Sequence, residues 1–203
     1  MECISDYVFK RMIMKMTLVF ATANEHKLTE LRDILKDYDI KGLNDVAIYD
    51  EIVEDGSTLE ENAYIKAKYL FDHTGLPSLS EDTGLEVISL NNAPGVLTAR
   101  YAGAQKNPDD NIDKLLNELD DSDNRKAQFR TIICYIDKHG VQYFEGVVKG
   151  IIAKERKGIA GFGYDPVFIP DGYCKTFAEL PSNIKNEISH RARAVERLLE
   201  YFK

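Results

Sequence analysis

The stretch from residue 126 to residue 149 constrains the fold more than any other. KAQFRTIICYID (126–137) and VQYFEGVVK (141–149) are rich in β-branched and aromatic residues and are joined at Lys138, His139 and Gly140, the spacing of a β-hairpin. Helical patterns flank it at both ends of the chain. Leu28, Leu31, Ile34 and Leu35 recur with helical period after an apolar run at 16–21, and Ala194, Val195, Leu198, Leu199 and Phe202 form one stripe near the C-terminus. Helices around mixed strands and one long hairpin predict an α/β fold: a mixed central β-sheet with helices on both sides and two lobes around a cleft. Such a cleft is the default position for a binding site.

Other elements follow from shorter signals. Weak alternation of apolar and acidic residues predicts a strand near 46–53. Thr58 with Glu61 three residues on is a capping box, so a helix starts there and runs to about His73, where Thr74 and Gly75 stop it. Residues 76–80 and 85–90 read as two strands bracketing an acidic turn, Glu81 to Gly84. A short helix is expected over 112–119 and a last strand over 167–169. Met12, Met14 and Met16 cluster before the first strand. Residues 1–15 therefore read as an extension, and 16–203 as a single domain, the number of domains that 203 residues suggest.

Charge and cysteine usage narrow the function classes. With 26 Lys and Arg against 34 Asp and Glu, a formal charge of -8, the chain repels nucleic acid backbones and anionic membranes, so a polyanion must meet a local basic site. Cys3, Cys134 and Cys174 have no metal-ligand or CxxC spacing and are expected as reduced thiols. No apolar run reaches the roughly 18 residues of a membrane span, and the start lacks the apolar core of a signal peptide. A cytoplasmic location is expected.

Five segments could carry chemistry. TANEHK (22–27) lies where a strand feeds a helix N-terminus, so free N–H groups, a hydroxyl, an amide and a lysine converge as a phosphate requires; Asn24 alone also reads as an ordinary helix cap with Lys27 solvated. In ENAYIKA (61–67), Asn62 and Lys66 share a helix face, next to a turn starting at Glu54; by itself this is a surface ion-pair face. SEDTGL (80–85) carries adjacent carboxylates, and along an extended chain Glu81 and Asp82 point to opposite sides. Oxygen donors of this kind suit Mg²⁺ held by one or two carboxylates plus phosphate, and the alternative is a polar turn without a ligand. GFGYDP (161–166) sets Phe162 between glycines, exposed for a planar ring to stack on, or folded away in a turn. KNEISHR (185–191) is locally basic in an acidic chain; Ser189 could cap the last helix, with His190 and Arg191 in its first turn.

Taken together and in order, these five motifs resemble those of the inosine triphosphate pyrophosphatases, the Ham1-like or non-canonical purine NTP pyrophosphatases, from about Lys15 to the C-terminus. The resemblance implies a homodimer with a nucleotide cleft that hydrolyses dITP, ITP and XTP to the monophosphate and pyrophosphate with Mg²⁺. It implies that Thr22, Ala23, Asn24, Glu25, His26 and Lys27 form the triphosphate loop, with Thr22, Asn24, Lys27 and Lys66 as ligands. Glu54 and Asp82 are the implied metal ligands, Asp82 also the general base, Thr83 a substrate contact and Glu81 a supporting carboxylate. Phe162 would stack on the purine, and Gly163, Tyr164, Asp165, Lys185, His190 and Arg191 would line the base pocket. The family usually has Gly at the position of Ala23 and, in some members, Asp at the position of Glu81; neither departure removes a ligand-bearing side chain.

The implied chemistry is physically consistent. Attack at the α-phosphorus needs charge neutralised on the leaving phosphates and a carboxylate to deprotonate water. A 6-oxo purine needs donors at O6, which Arg191 or Lys185 can supply. Two other readings remain at this level: a Maf-like NTP pyrophosphatase of different base specificity, and a non-catalytic purine nucleotide sensor.

Overall fold

A computed structural model describes residues 15–22 and 25–203. In chain order the elements are β1 (Thr17–Phe20), α1 (Glu25–Ile34), β2 (Asp39–Lys41), α2 (Leu59–Thr74), β3 (Ser78–Val87), β4 (Pro94–Gly95), α3 (Pro108–Glu118), β5 (Lys126–Asp137), β6 (Gly140–Ile152), β7 (Phe168–Pro170), α4 (Ser182–Ile188) and α5 (His190–Tyr201). The strands form one sheet in the order β2-β1-β3-β5-β6-β7, with β4 added to β3. β1 runs parallel to β2 and β3, and the other pairs are antiparallel. The expected mixed α/β architecture is therefore present.

The hairpin β5-β6 organises the packing because successive side chains leave opposite faces of a strand. Ile132, Cys134 and Ile136 pack against Leu59, Ala63 and Ala67 of α2. Ile133 and Tyr135 face the other way, into a cluster with Leu28 and Leu31 of α1 and Ala194, Val195 and Leu198 of α5. A third cluster joins Phe129 and Val148 of the hairpin to Ile112 and Leu115 of α3 and to Phe168 and Phe177. Close approach of α5 to β6 requires Gly146: a Cβ there would lie 1.9 Å from the carbonyl oxygen of His190.

The helix caps follow the sequence. Thr58 and Glu61 form the reciprocal capping box of α2, Gly75 closes that helix in the left-handed conformation, and Ser189 caps α5. Two expectations are corrected. Residues 46–53 form no strand; a 3₁₀ turn at Asn44–Val46 leads into irregular chain. The strand there is β2, whose three residues are too short to show a period. The acidic turn at 81–84 is also absent, since β3 runs unbroken through it and pairs residue by residue with β5. In the extended backbone each carboxylate is compensated on its own face of the sheet, Glu81 by Arg191 and Lys27 and Asp82 by Lys66. As expected, 185–191 leads into the final helix, with Ser189 as its cap and His190 and Arg191 in its first turn; residues up to Ile188 also close a separate short helix, α4. No described helix is long and apolar enough to cross a membrane.

Candidate active site

The alternation along β3 sets the geometry. Asp82 points to α2, where Asn62 Nδ2 donates to its Oδ2 at 3.3 Å and Lys66 Nζ lies 3.5 Å from its Oδ1. Lys66 also pairs with Glu54 Oε2 at 2.7 Å, so one ammonium bridges the two carboxylates expected to hold a metal. Asn62 is held in turn by the Gly56 N–H, which donates to its Oδ1 at 2.8 Å. Burial raises the Asp82 carboxyl above the usual range; the Lys66 charge opposes that shift and the Glu54 charge adds to it.

This donor set fits magnesium. Glu54 and Asp82 offer hard carboxylate oxygens around a point where a cation, the Lys66 ammonium, already sits. No cluster of three or more His, Cys, Asp or Glu with metal spacing occurs among the described residues. Two carboxylates alone match an ion that takes its remaining ligands from water and phosphate.

Glu81 points to the opposite face and is 5% exposed. Arg191 grips it with two prongs, Nε to Oε2 and Nη2 to Oε1, each at 2.9 Å, and Lys27 Nζ lies 2.7 Å from Oε1. Burial alone would raise this carboxyl, but the charges of Arg191 and Lys27 outweigh it and hold Glu81 well below the usual range. It is an anion at neutral pH.

His190 lies beside this cluster, buried and stacked on Phe129 at 4.7 Å between ring centroids. Its Nδ1 has no hydrogen-bond partner among the described residues. Burial pushes its pKa down to about 3; the Arg191, Lys185 and Lys27 charges reinforce that, and Glu81 opposes it. The imidazole is thus neutral in the folded protein at pH 7. An unfolded chain protonates it near 6.5, so between pH ~6.5 and ~3 the unfolded state binds the extra proton and stability falls as pH falls. Thermal unfolding from pH 7.5 to 4.5 is expected to show this loss, at most about 1.4 kcal/mol per pH unit from this one group. His190→Gln should flatten the slope, and equal slopes would remove His190 as its source.

Phe162 sits on a loop built for display. Gly161 and Gly163 have φ of +80° and +58°, and a Cβ on Gly161 would strike Asp165 Oδ2 at 2.1 Å. Asp165 is buried; its Oδ2 accepts the Phe162 N–H at 2.8 Å and pairs with Lys185. The ring is 57% exposed, with Lys185 Nζ 4.7 Å and Arg191 Cζ 5.9 Å from its centroid. A cavity of about 290 Å³ beside it is lined by Lys27, Thr83, Phe162, Gly163, Tyr164 and Arg191 among others. Thr22, Glu25, Glu54 and Lys66 line a second depression of about 550 Å³.

The structure thus gathers most of the sequence-expected residues into two groups on the two faces of β3. Thr83 lines the smaller cavity while its hydroxyl bonds that of Thr131 at 2.7 Å. Tyr164 is buried, its hydroxyl donating to the Thr98 carbonyl at 3.0 Å. Ala23 and Asn24 of the expected triphosphate loop, the side chain of His26 and residues 1–14 of the expected extension 1–15 lie outside the described residues. Cys134 and Cys174 are free thiols. The motif reading left out Thr98, Asn111 and Phe129, which also line the smaller cavity; they stand outside the five motifs and carry no spacing signal. Asn62 could have been assigned from its i,i+4 relation to Lys66.

Comparison with known proteins adds identity to this geometry. The sequence model of the Ham1 family matches residues 18–201. The dITP/XTP pyrophosphatase of Porphyromonas gingivalis is 50% identical over 186 residues, 91% of this chain and 96% of that protein. The dITP/XTP pyrophosphatase of Flavobacterium psychrophilum is 46% identical, covering 93% of this chain and all of that one. Among solved structures, the Staphylococcus aureus Ham1 protein superposes with a TM-score of 0.88 at 37% identity, over 92% of this chain and 97% of its own. A nucleoside-triphosphatase / dITP/XTP pyrophosphatase from Mycobacterium abscessus gives 0.79 at 40% identity, over 91% and 99%.

Proposed function

Since the chain belongs to the Ham1 family, we propose that it hydrolyses the non-canonical purine nucleotides dITP, ITP and XTP to the monophosphate and pyrophosphate, clearing them from the nucleotide pool. The observation that carries this reading is the division of β3. Asp82, Lys66 and Glu54 make a carboxylate and ammonium site on one face, while Glu81, Arg191 and the Phe162 loop stand on the other.

In this reading the triphosphate lies along the segment from Thr22 to Lys27 and reaches Lys66. Asp82 is the general base, its carboxylate fixed by Asn62 and Lys66. It takes a proton from water, the water oxygen bonds to the α-phosphorus, and the bond from that phosphorus to the bridging oxygen breaks, so pyrophosphate leaves. Glu54 and Asp82 would hold magnesium, which when bound would supply charge neutralisation at the phosphates. Asn62 keeps the Asp82 carboxylate oriented.

The purine stacks on Phe162, and the O6 oxygen accepts from Arg191 or Lys185. A 6-amino purine presents a donor there and offers neither cation an acceptor. Gly163, Tyr164, Asp165 and His190 shape the pocket. The family resemblance extends the proposal to a homodimer that requires magnesium, and the net charge of -8 extends it to a cytoplasmic protein that binds neither nucleic acid nor membrane.

The test is pyrophosphate release from dITP, XTP, dGTP, dATP, dTTP and dUTP, with and without Mg²⁺. The expected result is metal-dependent release with dITP and XTP preferred by at least ~10-fold in kcat/KM. Comparable rates across the panel would refute the specificity. Tight binding of dITP without pyrophosphate release would instead make the protein a sensor.

A further inference from the structure

We propose that Glu81 is a positioning residue that couples the two ends of the substrate site, holding the phosphate-side Lys27 and the base-side Arg191 on one buried carboxylate. This rests on the nucleotide reading above for what the two cations touch, but the coupling itself rests on geometry.

Lys27 comes from α1 and Arg191 from α5, and the two meet on Glu81 of β3, between the elements that carry them. Both cations line the 290 Å³ cavity beside Phe162. Glu81 Oε1 serves both of them, receiving Arg191 Nη2 at 2.9 Å and Lys27 Nζ at 2.7 Å. A shared oxygen makes the partners interdependent: drawing one cation toward a ligand leaves more of the carboxylate charge to the other. Glu81 cannot act on the reacting phosphorus as Asp82 does, because the pleat turns the two carboxylates to opposite faces. Its effect on turnover must pass through the cations it holds.

A carboxylate serving only as a packing salt bridge would alter stability alone. The coupling role predicts something more specific, readable with inorganic tripolyphosphate, a ligand without a base. In the unmodified protein, Arg191→Met leaves Lys27 as the cation drawn more strongly to Glu81, so tripolyphosphate should bind about 3- to 10-fold more weakly by calorimetry. In a Glu81→Gln background the same Arg191→Met change should leave tripolyphosphate affinity within about 2-fold.

With dITP, Glu81→Gln should raise KM about 10-fold while kcat stays within about 3-fold, because Asp82 is untouched. Glu81→Asp, which keeps the charge, should recover most of that loss and serves as the informative variant if Glu81→Gln does not fold. Equal effects of Arg191→Met in both backgrounds, or none in either, would overturn the proposal. So would a failure of the unmodified protein to bind tripolyphosphate, or a fall in kcat with KM unchanged. A protein that shows the tripolyphosphate coupling but does not hydrolyse dITP would sink the nucleotide reading and leave the coupling standing.

Discussion

Asp82→Asn is expected to lower kcat for dITP by about 10²- to 10⁴-fold, the usual worth of a positioned general base, while nucleotide binding survives. An amide has nearly the shape of a carboxylate but cannot accept a proton from water. The fold should tolerate the change: Asp82 is part-buried at the end of contacts from Asn62 and Lys66, and its raised pKa means that burial already works against its charge. Removing the charge therefore relieves a desolvation cost while losing one ion-pair contact at 3.5 Å. Stopped assays for pyrophosphate, with calorimetric binding of dITP on the same preparation, separate the two effects. Full turnover by the Asp82→Asn variant would eliminate Asp82 as the base.

Phe162→Ala should raise KM for dITP by roughly 5- to 150-fold, corresponding to about 1–3 kcal/mol for one aromatic stacked on one base. Thermal stability should barely change, because the ring is more than half exposed and its loop is fixed by other groups: the Gly161 conformation, the Asp165 carboxylate and Lys185. Phe162→Tyr or Phe162→Trp should keep KM near its original value, since either ring offers a stacking face. An unchanged KM for the alanine variant would remove the stacking assignment.

Short-range patterns were legible wherever one element carries the whole signal. The capping box of α2, the hairpin β5-β6 and the Ser189 cap follow from residues at most four apart or from long runs. The opposed directions of Glu81 and Asp82 needed only the period of a strand. By contrast, the continuity of β3 depends on partners brought from elsewhere in the chain. A sequence such as SEDTGL looks like a turn until Arg191 and Lys27 on one face, and Lys66 on the other, are seen to compensate its charges. β2 escaped notice because Asp39, Ile40 and Lys41 gain their strand conformation from pairing with β1, not from their own pattern. Asp165 reads in sequence as a pocket residue, yet its carboxylate accepts the Phe162 N–H and pairs with Lys185, holding up the loop that presents the ring. That distinction depends on which way the side chain turns, and sequence spacing carries no such information.

The pairing of β3 with β5 is continuous from Ser78 opposite Ile136 to Val87 opposite Ala127. Its consequence concerns how such a gene can change length. Adding or deleting a single residue before Glu81 within this strand would shift the parity of everything beyond it, sending each carboxylate to the compartment of the other: Asp82 toward Arg191 and Glu81 toward Lys66. The loop 120–124 carries no such parity, so a change of length there leaves the register of β3 intact. β3 is therefore expected to vary among descendants of this gene by substitution only, its ten residues inherited as a frame of fixed length.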